Sequence, residues 1–141
     1  MPGDETTRSD ASPAGTPVEV RVRADHGRLP VLRAVAETVA ILADLTLDHV
    51  SDVKLAVDEI CSALVTKAAV DADVVCRFDA TATVLGVHVS ADTTTDRVPD
   101  ERGFGWHVVR TLTDTVSVTH EPLRNGGFHT TVAFSKARDV T

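Results

Sequence analysis

The chain has 141 residues, the length of one domain. It is acidic and poor in rings, with 14 Lys+Arg against 21 Asp+Glu, 4% aromatics, no Tyr and the single Trp106; this excludes a basic, aromatic-lined nucleic-acid binder. No apolar run approaches the roughly 18 residues that cross a bilayer, and the opening MPGDETTRSD lacks the apolar stretch of a secretory signal.

Residues 1–16 are Gly, Pro, Ser, Thr and acid without periodicity and read as a disordered tail. From Pro17 the pattern is regular, and a domain is expected over 17–137, followed by a short tail at 138–141. Val18, Val20 and Val22 alternate with Glu19, Arg21 and Arg23, as in a strand with one buried face. Asp25 to Arg28 turns the chain. Leu32, Val35, Ala36, Val39, Leu42 and Ala43 then recur at three and four, the stripe of a first helix with Pro30 in its opening turn. A second helix follows Asp48, a candidate N-cap, with the stripe Val50, Val53, Val57, Ile60, Cys61 and Leu64. Val74–Phe78 and Thr83–Val89 read as a hairpin.

Ala91–Gly103 breaks the pattern; it is polar, holds Pro99, and is long enough for a functional loop or lid. Trp106, Val109 and Leu112 mark a short helix from near Gly105, and Val116–Val118 and Thr130–Phe134 read as closing strands. Strands separated by helix clusters predict an α+β two-layer sandwich, with a mixed sheet covered on one face by helices.

Several side chains are candidates for chemistry. Glu59 lies at the edge of the second helix's apolar stripe and shares a face with Ala63. It reads as a general base, or as a solvated acid that the helix dipole favours. Gly103 and Gly105 precede a helix, where bare backbone N–H groups suit an anion, although most such pairs are plain turns. Asp92 reads a base amino group or closes a strand exit. The six histidines show no metal spacing, and no metal site is expected. Cys61 and Cys76 form no CxxC pair or disulfide framework; they read as reduced core thiols of a cytoplasmic protein, with a redox switch as the alternative.

The run Val53-Lys54-Leu55-Ala56-Val57-Asp58-Glu59-Ile60-Cys61 and the segment GFGWHVVRTLTD, Gly103–Asp114, together resemble the RsbW type of anti-sigma factor, within the GHKL (Bergerat-fold) ATPase and kinase superfamily. The resemblance runs from about Pro17 to Lys136 and is nearest the actinobacterial branch that antagonises SigF/SigB-like sigma factors. It implies Glu59 as the general base of phosphoryl transfer, Asp92 against the adenine amino group, and Gly103 and Gly105 around the phosphates of ATP or ADP. It puts the glycine expected two residues after Asp92 at Thr94 and the late Gly-Thr pair at Thr130. The asparagine that holds Mg²⁺ in relatives falls on Ala63, whose methyl has no donor. Arg33 matches an arginine that in relatives meets the sigma factor and its competitor.

The mechanism so implied is partner switching. A homodimer holds the sigma factor away from RNA polymerase until a STAS-domain anti-anti-sigma factor displaces it, with no direct nucleic-acid or membrane contact. Ala63 and Thr94 favour a binding module with weak or lost kinase activity; intact Glu59, Asp92 and Gly103/Gly105 favour an ATP-dependent serine-protein kinase acting on the competitor. The acidity also has a place. Residues 34–63 hold six acids against Lys54 alone, a helical layer suited to the basic surface of a transcription factor.

Overall fold

In the computed structural model, which describes residues 17–138, the opening alternation becomes β1 (Val18–Arg23), with Val20 and Val22 turned inward. The turn after it is a short 3₁₀ helix, His26–Arg28, capped by Asp25, whose Oδ1 accepts from Gly27 N–H at 3.1 Å. It runs straight into α1 (Leu29–Leu42), with Pro30 in the first turn, where its missing N–H costs nothing.

Helix α1 ends in a Schellman closure: Asp44 N–H donates to Ile41 O at 3.1 Å and Leu45 N–H to Ala40 O at 3.2 Å. The residue that must turn left-handed there is Asp44, at φ 63°, where glycine is the usual choice. Asp44→Gly is therefore expected to stabilise the fold by about 0.5–1 kcal/mol, read as a higher denaturation midpoint. Its ion pair with Arg138, 3.6 Å and on an exposed carboxylate, subtracts little.

Helix α2 (Leu47–Thr66) is capped not by Asp48 but by Thr46, whose Oγ1 accepts from His49 N–H at 3.2 Å. Asp48 falls instead in the first turn, where its charge suits the helix dipole. Two neighbouring rows of α2 are buried, Val53, Val57, Ile60 and Leu64 among them, because it packs between α1, the sheet and the third helix.

The remaining elements are β2 (Asp73–Ala80), β3 (Val84–Thr93), α3 (Phe104–Leu112), β4 (Thr115–Pro122) and β5 (Phe128–Ala137). The strands form one sheet in the order β1-β2-β3-β5-β4. The α+β sandwich is as expected, but every pairing is antiparallel, so the sheet is not mixed. Two helices lie between β1 and β2, which returns the chain to the end it left and makes β2 run back along β1. Strands β3 and β4 do point the same way, yet β5 lies between them, so they make no parallel contact.

All helices cover one face of the sheet. Inward positions are apolar (Val74, Cys76, Phe78, Leu85, Val87, Val89, Val132, Phe134) and the open face is polar. Strand β3 extends past the expected end at Val89 through Thr93, because Thr93 and Thr130, both fully buried, satisfy each other through their hydroxyls at 2.8 Å. The loop that follows is packed down: Val98 and Pro99 are buried, and His120 Nε2–H donates to the Val98 carbonyl at 2.8 Å.

The expected tails at 1–16 and 139–141 lie outside the described residues. Arg138, expected in the second tail, is anchored, its Nε donating to the Ala43 carbonyl at 2.8 Å and its Nη1 to the Thr81 carbonyl.

Candidate functional site

The buried stripe of α2 turns Glu59 and Ala63 toward α3 and the loop before it. There they meet Gly103 and Gly105 at a pocket of about 140 Å³, walled by Ile60, Pro99, Trp106 and Val109, with Asp100 beside Gly103. Gly105 lets the Glu59 carboxylate come close over the start of α3; a Cβ there would push the Glu59 side chain aside. Glu59 is exposed, and among the described residues it has no hydrogen-bond or ion-pair partner.

Its isolation is unusual for this layer. Of the six acids between residues 34 and 63, Glu37 pairs with Lys54, Asp44 with Arg138, Asp52 with Lys136 and Asp58 with Arg33. The acidic layer is thus largely neutralised, and its uncompensated charge is confined to Asp48 and Glu59.

The structure does not bring the other expected nucleotide contacts to this pocket. Asp92 projects from the open face of the sheet, because the inward position at that strand end is Ala91. Asp92 Oδ1 accepts there from Nδ1 of its cross-strand neighbour His129 at 2.9 Å. Thr94 is exposed and tied to the C-terminus of α2, its N–H donating to Lys67 O at 2.9 Å. Thr130 is sealed against Thr93. Arg33 lies on α1, its Nη1 donating to Asp58 Oδ1 at 2.8 Å, so it braces the residue preceding Glu59.

Sequence reasoning missed Pro99, Asp100 and Trp106 as pocket walls. It also missed Lys136, 7% exposed, whose Nζ donates to Asp52 Oδ2 at 2.9 Å and to the Leu112 carbonyl at 2.8 Å. The strand parity Thr130, Val132, Phe134, Lys136 was the available signal, since it puts a lysine on the core face.

Residues 22–134 match the histidine kinase-like ATPase domain, and the chain belongs to that family. It is also 35% identical over 104 residues to the anti-sigma-F factor RsbW of Mycobacterium tuberculosis, in strains CDC 1551 / Oshkosh and ATCC 25618 / H37Rv alike. The match covers 74% of this chain and 62% of each relative, so the chain spans less than two thirds of their length. The expected likeness to RsbW-type factors is thereby found, as is the α+β sandwich.

An ATPase domain suggests a nucleotide, and this pocket does not fit one with its metal. Its volume of about 140 Å³ is below the roughly 300 Å³ at which ligand pockets begin. Its charged walls are Glu59 and Asp100, with no lysine or arginine to offset phosphate charge, and Ala63 offers no metal donor. Among the described residues no helix is long and apolar enough to cross a membrane.

Proposed function

We propose that this chain is an anti-sigma factor that acts by sequestration. In this reading it is a cytoplasmic homodimer that holds a SigF/SigB-like sigma factor away from RNA polymerase and releases it to a STAS-domain competitor. The likeness to the anti-sigma-F factors carries the reading. The helical layer supports it: Val31, Ile41, Leu42, Leu47 and Leu55 are large apolar side chains left exposed on α1 and α2, whereas the sheet's free face is polar. Exposed apolar side chains gathered on one layer mark a protein-docking surface, and Arg33 belongs to the same layer, on α1.

The test is a titration of the purified chain with each alternative sigma factor of its source organism, followed by calorimetry. One of them is expected to bind, and Leu42→Arg is expected to weaken that complex at least about tenfold with no loss of folding. Binding by none of them would sink the reading.

The second reading, an active serine-protein kinase, is favoured by the meeting of Glu59, Gly103 and Gly105 in one pocket. Incubation with Mg-ATP and the STAS competitor distinguishes it by intact mass. No phosphoserine is expected, even from Ala63→Asn, because that change supplies a ligand but neither volume nor positive charge. Phosphate transferred in stoichiometric amount and abolished by Glu59→Ala would establish the kinase instead.

A further inference from the structure

The pocket between α2 and α3 is small, apolar in its walls and acidic at its polar end. Trp106, Pro99, Ile60 and Val109 supply the walls, and Glu59 and Asp100 supply the charge. Its volume of about 140 Å³ accommodates one side chain. Long cationic side chains have the matching form, an apolar stem ending in a charge, and an indole wall adds cation–π attraction for a guanidinium.

Two further features mark the rim as a contact surface. Leu55, one turn before Glu59, is 51% exposed, and Phe104, between the two pocket glycines, is 81% exposed. Apolar side chains around a desolvated charged anchor are the usual surroundings of a binding hot spot. Glu59 itself is held in reserve, since every other acid of residues 34–63 but Asp48 already has a cation.

We propose that this pocket is a receptor for one arginine or lysine side chain of the protein partner, with Glu59 as its counter-ion and Trp106 as its wall. The proposal rests on the anti-sigma reading and names where part of the partner's basic surface is gripped. A pocket whose charge is Glu59 and Asp100 is selective for a cation.

The experiment uses the bound sigma factor as its probe. Calorimetry compares wild type with Glu59→Gln and with Asp48→Asn, which removes the same charge from the same helix outside the pocket. Glu59→Gln should weaken binding about tenfold or more, as loss of a buried interfacial charge partner does, and Asp48→Asn less than about twofold. Fluorotryptophan at the sole Trp106 gives one fluorine resonance, which should move on adding the sigma factor and stay still with Mg-ATP. Arginine and lysine positions of the sigma factor changed to glutamate one at a time should yield one variant that binds Glu59→Arg better than wild type. Equal losses for the two acid variants, or a resonance that titrates with Mg-ATP, would overturn the receptor and leave the anti-sigma reading standing. No binding by wild type would overturn both.

Discussion

The unfolding free energy of this chain should fall steeply between pH 9 and 11. Burial pushes the Cys76 thiol up to about 12. Cys61 is raised well above its ordinary value by burial first, and then by the negative charges of Cys76 and Asp58 nearby. Released into solvent, both thiols ionise near 8.5. Above that pH the unfolded chain gives up protons that the folded chain keeps, so stability present below it drains away as the pH climbs toward 12. The slope is about 1.4 kcal/mol per pH unit for each thiol. Across two units Cys76 alone amounts to about 3 kcal/mol, a large part of the stability of a small domain, and Cys61 acts in the same direction.

The chain has no tyrosine, so no phenol adds to the effect. Denaturant titrations from pH 7 to 11 should show a clearly shallower alkaline slope in Cys76→Ala. Parallel slopes would mean that the thiols are hydrated in the native state. The same burial keeps both sulfurs protonated at neutral pH, which makes them inert to oxidants and argues against a redox switch.

The second large effect is expected at Lys136. Its ammonium joins three elements: β5, which carries it, Asp52 on α2, and the last carbonyl of α3 at Leu112. Alanine there would leave Asp52 and the Leu112 carbonyl without their donor in a largely buried setting. A loss of about 3 kcal/mol is expected, which lowers the melting temperature by about 10 °C for a domain of this size. Lys136→Met should cost less, because the aliphatic stem stays packed. Combining it with Asp52→Asn should recover more still, since a buried pair replaced on both sides is often neutral. A thermal melt of Lys136→Ala within about 1 kcal/mol of wild type would show that the pair contributes nothing.

The two large helices and the strands were legible because their apolar residues keep the right periods, and α1, α2 and the β2–β3 hairpin lie where the stripes put them. Period does not encode strand direction, so the insertion of β5 between β3 and β4 was invisible from sequence. The ends of elements shifted where polar atoms satisfy one another, as at Thr93 with Thr130, or where one cap displaces another, as Thr46 does Asp48.

The site was half legible. Glu59, Ala63, Gly103 and Gly105 do converge, because α2 and α3 pack side by side. Asp92 does not join them, because strand parity turns it to the opposite face of the sheet. A residue's place in a motif says nothing of parity; the alternation of Val87, Val89 and Ala91 does, and it put Asp92 outside.

The placement of β5 also sets a timetable for folding. Strand β4 touches the sheet only through β5, the last of the described strands to leave the ribosome. Until β5 emerges, β3 presents a bare edge, β4 has no neighbour, and Lys136 has not yet joined α2 to α3. The nascent chain can form α1, α2 and the local β2–β3 hairpin early and then add β1 across the two helices, but that intermediate carries an unpaired strand edge. The final step pairs β5 with β3 and brings β4 onto the sheet with it. Closing the fold from its late end makes the completed sheet a single cooperative unit and confines the aggregation hazard to the interval before β5 docks.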